Sequence, residues 1–311
     1  MTAAHSPTDV VRERIRTGSR VQSAEFGIRG RFLYGETAPS AAIPCQRTSA
    51  LNADEVGTVV DLIAVGRRTR QSVILPLELR TRDWLSVEKV ILGLDESLGR
   101  EGAGWKVGAA SAEIRRAEGL PSPSPGRFYR DTMFDNGAVL GPELFINFRN
   151  VECEFAFQLG RSFEVRDEPY SEAEVAQGID SLFAALEIGD TVFQDWYGAS
   201  GYFGSCLDNG GGAAFVAGTK INDWRSLDLA NAGMDLYINE YYIKSGVGSA
   251  AMGHPLTSLT WMVNWANAHG RAVASGEVIS TGTCTGHCFA APGDVVSADF
   301  GPLGFVQVEF L

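Results

Sequence analysis

Cations, cysteines and long apolar runs are what this chain has little of. Its 26 Lys and Arg are outnumbered by 38 Asp and Glu, leaving a formal charge of −12 over 311 residues. A surface of that sign does not replace the counterions of a nucleic acid or dock on an anionic membrane, so neither partner is expected. The five cysteines, Cys45, Cys153, Cys206, Cys284 and Cys288, are odd in number and irregularly spaced. That pattern argues against a disulfide framework and suits a reducing, cytoplasmic setting. Met1 to Arg20 interleaves Arg12, Arg14, Arg16 and Arg20 with Asp9 and Glu13 and has no apolar stretch of the kind a secretory signal requires, so export is not expected. The longest uncharged run, Ser245 to Gly270, reaches spanning length but carries His254, Pro255, Asn264 and Asn267. Those residues are costly in hydrocarbon, and the run reads as part of a soluble fold. A Gly-x-Ser-x-Gly elbow and a Walker loop are missing, and Gly246-x-Gly248 lacks the third glycine and the downstream acid of a dinucleotide fingerprint.

What is present is core material: 45% of the residues are hydrophobic and 10% aromatic, enough for one large domain or two ordinary ones without staples. Residues 1–50 mix Gly, Ser, Pro and Arg without periodicity and read as an N-terminal arm; residues 51–311 read as one catalytic domain. Val56, Val59, Val60 and Ile63 at helical spacing behind Asn52 predict a helix ending near Arg70, and residues 84–98 predict another. Gly99, Gly102 and Gly104 then break the chain before a short strand over Trp105 to Ala109. Val151, Cys153, Phe155, Phe157 and Leu159 alternate with polar or small residues, which is a strand with one apolar face. Ser171-Glu172-Ala173-Glu174 is a capping box, and Val175, Ile179, Leu182, Phe183 and Leu186 after it predict an amphipathic helix delivering the chain to Glu187. A further helix starts at Pro255, with His254 leading into it, and stops at Gly270. Strands follow over Val278 to Thr281, Val295 to Phe300 and Phe305 to Phe310. Several strands after the last helix give an α+β plan.

The pair Glu152-x-Glu154 carries the most local information. Carboxylates two apart on a strand share a face and repel unless something positive lies between them, and a hard divalent cation resolves that with oxygen ligands. Standing alone, the pair reads as a solvated strand face. Cys284-x-x-x-Cys288 with His287 between them has no second ligand pair at a zinc spacing, and the segment reads as a Gly/Thr-rich loop.

The pair does not stand alone. Gly104-Trp105-Lys106-Val107-Gly108, Val151 to Phe157, Ala185-Leu186-Glu187-Ile188, Asp208-Asn209 and Gly276-Glu277-Val278-Ile279-Ser280-Thr281-Gly282, in that order, resemble the 2-keto-4-pentenoate hydratase branch of the fumarylacetoacetate hydrolase superfamily. His254 to Trp261 and Ala291 to Phe310 are similar to its late helix and C-terminal strands, so the resemblance spans about residues 52–311. It implies a mixed, curved β-roll flanked by helices, a homo-oligomer, and a Mg²⁺ or Mn²⁺ site with Glu152, Glu154 and Glu187 as ligands. It also implies Lys106 and Asp131 as proton carriers, the lysine with a lowered pKa, and Leu207, Asp208, Asn209 and Thr281 at the substrate. Two departures from the family pattern, Val192 in place of an arginine and Leu207 before Asp208-Asn209, are expected to make the pocket less polar.

Three reactions share an enolate held by a metal: water addition to a 2-hydroxy-2,4-dienoate, decarboxylation of a 4-oxalocrotonate-like acid, and hydrolysis of an acylpyruvate. Hydrolysis ranks last for want of an early His/Glu pair. Decarboxylation needs a dianion accommodated in a less polar pocket, which leaves hydration of a substrate with an alkyl or aryl tail as the favoured reading. A structural oligomer without catalysis is the alternative of a different class.

Overall fold

The computed structural model describes residues 48–194 and 201–311. Residues 1–47, most of the expected arm, lie outside them. Helix α1 (Ala53–Thr69) opens on Asn52, whose side chain accepts from Glu55 N while Glu55 reaches back to the Asn52 N–H, and Arg70 closes it in the left-handed region. Helix α2 (Trp84–Leu98) is capped by Asp83 and closed by a left-handed Gly99. Their apolar stripes, Val59, Val60 and Ile63 against Val87, Val90 and Ile91, form one cluster that also takes in Val192, Phe203, Cys206 and Leu207. Both helices sit where the periodicity puts them.

Strand β1 (Gly102–Gly108) begins earlier than expected and includes two of the glycines read as breakers. Gly104 is there for contact rather than flexibility: a Cβ on it would fall 1.9 Å from the Val278 carbonyl of the neighbouring strand. Then come α3 (Ala112–Glu118), β2 (Ser124–Tyr129), β3 (Met133–Asp135), β4 (Ala138–Leu140) and β5 (Asn150–Leu159). The helix expected over residues 171–187 is a correction. The capping box forms, with Ser171 accepting from Glu174 N, but α4 (Glu172–Gln177) ends after six residues, and β6 (Ile179–Gly189) follows. Leu182, Ala184, Leu186 and Ile188 pack into the main core, while Phe183 and Ala185 pack into a separate cluster on the other face. A strand buried on both faces carries apolar residues without a period-2 alternation, so its residues satisfy a helical template by accident.

The remaining elements are α5 (Gly201–Leu207), β7 (Gly212–Ala217), β8 (Gly233–Ile238), β9 (Tyr241–Val247), α6 (Pro255–Ala268), β10 (Val278–Ser280), β11 (Val295–Asp299) and β12 (Phe305–Phe310). A seven-stranded sheet runs β2-β1-β10-β5-β6-β7-β3, parallel at β1/β10 and β3/β7 and antiparallel elsewhere. A five-stranded sheet runs β4-β12-β11-β8-β9. Phe155 and Phe157 from the first sheet, Val296, Val308 and Phe310 from the second, and Leu259 and Met262 from α6 share one core. The α+β plan of mixed sheets flanked by helices is as expected. His254 caps α6, its ring nitrogen accepting from Leu256 N, and takes no other part. The four described cysteines are free and buried. Among the described residues no helix is long and apolar enough to cross a membrane.

Candidate active site

Antiparallel pairing sets Glu152 of β5 directly opposite Glu187 of β6, with Glu154 two residues along the same face of β5. All three line one cavity. They do not form a solvated strand face: the Glu154 and Glu187 residues are 1% and 3% exposed. Farther along, the same face turns apolar at Ala156, Phe183 and Phe215.

Each carboxylate has its own partner. Lys106, on β1, donates from Nζ to Glu187 Oε1 at 2.6 Å and to the Gly210 carbonyl at 3.0 Å. Its aliphatic chain lies over Gly126, where a Cβ would meet Lys106 Cγ at 2.7 Å, so that glycine makes room for the lysine. Glu154 Oε2 accepts from the Ser280 hydroxyl and, at 2.8 Å, from Gly282 N. Glu152 Oε1 lies 2.9 Å from His287 Nδ1 and accepts from Asn150 Nδ2 at 3.1 Å. The Asn150 amide is oriented by Cys288 N, which donates to Oδ1 at 3.0 Å.

Charge in this pocket is unbalanced. Burial, then Glu187 and Glu152, push the Glu154 carboxyl well above its ordinary range. Burial pulls Lys106 down, but Glu187 beside it and the other two carboxylates outweigh that and hold it above its ordinary value. Three acids face this ammonium and favour its charged form. His287 is raised too, burial being outweighed by the bond to Glu152. Among the described residues no three His, Cys, Asp or Glu side chains converge on a single point as they stand. The donor set is nevertheless of the kind a hard cation takes, carboxylate oxygens on adjacent strands with an excess of negative charge.

Five other expected residues lie apart from this cavity. Asp131 sits in a surface turn, its side chain 68% exposed and paired with Arg100 Nη2 at 2.5 Å, and it does not line the pocket. Leu207 packs with α1 and α2 in their cluster, as does Val192, so neither departure from the family pattern changes the polarity of the cavity wall. Asp208 is fully buried and accepts from Arg67 Nη2 at 2.7 Å, the Thr191 hydroxyl at 2.8 Å and Val192 N at 2.7 Å, which fixes α1 to the end of α5. Asn209 accepts from Arg127 N at 2.6 Å and donates to Arg127 O at 3.0 Å, tying β2 to the loop that offers Gly210 to Lys106. Thr281 turns its hydroxyl to the Phe155 carbonyl at 2.9 Å. Strand alternation explains this last difference: Ser280 shares the face of Glu154, and its neighbour Thr281 points away from it.

Sequence reasoning passed over Ser280, Asn150, His287 and Tyr202. His287 had a signal, a histidine in a Gly/Thr-rich loop, but it was weighed only against zinc. Asn150 and Tyr202 belong to no motif and reach the cavity through tertiary packing alone. Ala109, Ala110, Ile114 and Phe148 supply its apolar lining.

Comparison with known proteins shows the family. Residues 128–310, more than half of the chain, match the family model described as fumarylacetoacetate (FAA) hydrolase C-terminal. A 2-keto-4-pentenoate hydratase of Paraburkholderia xenovorans (strain LB400) is 29% identical over 214 residues, 69% of this chain and 78% of the relative. A 2-hydroxyhexa-2,4-dienoate hydratase of Comamonas testosteroni is 28% identical over 236 residues, 75% of this chain and 87% of the relative. Among solved structures, the 4-oxalocrotonate decarboxylase of Pseudomonas putida G7, complexed with magnesium and adipate, superposes with a TM-score of 0.76 at 20% identity, covering 85% of this chain and 100% of that one. With its mixed sheets, its acid-lined cavity and a family match over most of the strands that build them, the chain belongs to the fumarylacetoacetate hydrolase family.

Proposed function

We propose that this chain is a hydratase that uses a divalent cation to add water to a 2-hydroxy-2,4-dienoate, giving a 4-hydroxy-2-keto acid. The observation that carries the site is the Glu152/Glu187 cross-strand pair with Glu154 beside it, facing one cavity with a single lysine among them. The names of the relatives, hydratases acting on 2-keto-4-pentenoate and 2-hydroxyhexa-2,4-dienoate, support the reaction. Glu152, Glu154 and Glu187 are the residues that would hold the cation, Mg²⁺ or Mn²⁺ by their oxygen chemistry. When bound, such an ion supplies Lewis-acid polarisation of the substrate's 2-oxygen.

The chain's own residues do the rest. Lys106 Nζ, fixed by Glu187 and the Gly210 carbonyl, has one N–H left over, and the side chain lines the cavity. It passes that proton to the far carbon of the conjugated chain and recovers one from the water whose hydroxide adds at C4, while the 2-hydroxyl proton is transferred to C3 as the 2-oxo group forms, so the net change is the gain of one water. Asp131, paired with Arg100 on the surface, is given no part. The Ala109, Ala110, Ile114 and Phe148 wall suits an alkyl or aryl tail. A homo-oligomer is part of the same reading, supported by the exposed Tyr241, Tyr242 and Ile243 on edge strand β9.

The deciding experiment incubates the Mg²⁺-loaded protein with a panel of 2-hydroxydienoates and acylpyruvates, following dienol absorbance and product mass. Gain of one water with loss of absorbance is expected. Release of CO₂ would reassign the chain as a decarboxylase, and no turnover with metal bound would overturn the hydratase reading.

A further inference from the structure

Tyr202, the second residue of α5, lines the carboxylate cavity without belonging to any motif. Its hydroxyl oxygen accepts from Ala109 N at 3.1 Å, and among the described residues no acceptor meets the hydroxyl hydrogen. Ala109 is one of the few non-glycine residues in the left-handed region, at φ 51°, and Arg115 Nη1 clamps the Ala109 and Ala110 carbonyls at 2.7 and 2.8 Å. This strained, clamped segment fixes the N–H that holds the phenol, so the phenol oxygen has a set position. Of the other hydroxyls on the cavity wall, Ser111 and Thr283 act as local acceptors, which leaves Ser205 beside Tyr202. Ser111 accepts from Ile114 N as the cap of α3, and Thr283 accepts from Gly286 N within its own turn.

We propose that the Tyr202 hydroxyl anchors the substrate, donating a hydrogen bond to the carboxylate of the bound 2-oxo acid or its dienol. The inference rests on the hydratase reading for the identity of that acid. Burial, Cys206 and then Glu152 push the phenol well above its ordinary pKa, with Glu187 adding to this, so it keeps its hydrogen at any working pH. Tyr202 lines the same cavity as Glu152 and Glu187, the residues that would hold a chelating 2-oxo acid through a cation. Lys106 has one N–H beyond those given to Glu187 and Gly210, and the proposed reaction uses that one for proton transfer, so the phenol is a separate donor. A rigid phenol also adds a hydrogen bond without adding a cation that would compete with the metal.

The test uses 2-oxopentanoate, a saturated acid with no double bond to hydrate, and its methyl ester, each titrated calorimetrically into the Mg²⁺-loaded full-length protein. Loss of a hydrogen bond to a charged group predicts roughly 10-fold weaker binding of the acid to Tyr202→Phe, with the ester bound equally by both proteins. Mn²⁺ affinity and the thermal midpoint, measured alongside, are expected to stay near wild-type values. Acid affinity within twofold of wild type overturns the inference alone. Equal losses for acid and ester also overturn it, because they mean that Tyr202 acts only by holding Ala109. Failure of the wild type to bind the acid at all overturns the reading of the site and this inference together.

Discussion

Lys106 Nζ and Glu187 Oε1 stand 2.6 Å apart with both side chains 4% exposed, making a buried ion pair in the wall of a cavity that holds two further carboxylates. A pair so placed has two uses. The ammonium offsets part of the charge of three acids, and under the proposed function it would also carry a proton beside the substrate.

Removing one partner of a buried pair leaves the other charge unpaired, at a cost of about 3–5 kcal/mol, whereas removing both is far milder. Lys106→Met is therefore expected to lower the thermal midpoint of the metal-free protein by several degrees, and Lys106→Met/Glu187→Gln to recover most of it. Added Mn²⁺ should raise the midpoint of Lys106→Met more than that of wild type. Scanning calorimetry with and without the metal checks both points, and equal midpoints for the two variants would contradict the first.

Metal binding separates the carboxylates from their supports. Glu152→Ala is expected to abolish Mn²⁺ binding in titration calorimetry. Ser280→Ala, which removes only the hydroxyl donor to Glu154, should weaken it about 10-fold, the lower end of what outer partners of metal ligands contribute. Wild type and Glu152→Ala binding Mn²⁺ equally weakly would remove the site.

Asp131 gives the opposite prediction. Its pair with a half-buried Arg100 leaves the carboxylate itself exposed, and such surface pairs contribute about 0–1 kcal/mol. Asp131→Asn should keep kcat/KM within about twofold of wild type in a dienol absorbance assay, where Lys106→Met loses at least about 100-fold. A large loss in Asp131→Asn would restore it to the chemistry.

The contrast between these two residues shows what the sequence can carry. Glu152 and Glu154 are legible from the alternation of their strand, whereas Lys106 and Glu187 are reached only through what the family resemblance implies. Asp131 is located only by spacing along a segment that turns out to be a surface turn. Leu207 to Asn209 were read as substrate contacts, and the chain uses them to fix α1 and β2 around the loop that meets Lys106. Position 187 was reached by the wrong local structure, because β6 is apolar on both faces and has no period for the eye to use. Tyr202 and Asn150 had no pattern at all, since what brings them to the cavity is contact across elements distant in sequence.

The short helix that precedes β6 provides a test of pH dependence away from the site. Glu174 accepts from Arg166 Nη1 at 2.9 Å and from Ser171 N at 2.8 Å. Arg166 first, then the Ser171 N–H and hydroxyl, hold its carboxyl down at about 2, against an ordinary value of 4.5. A depressed folded-state pKa means that the unfolded chain binds the proton first, so the stabilisation is complete above about 4.5 and is lost as pH falls toward 2. Glu174→Gln should therefore unfold at a lower temperature than wild type near pH 6, and the gap between the two midpoints should narrow steadily below pH of about 4.5. Because the capping box sits at the start of α4 and lines no part of the cavity, the same substitution should leave Mn²⁺ affinity unchanged while the fold holds. A gap that stays constant from about pH 6 to about pH 3.5 would mean that Glu174 is not the group being titrated.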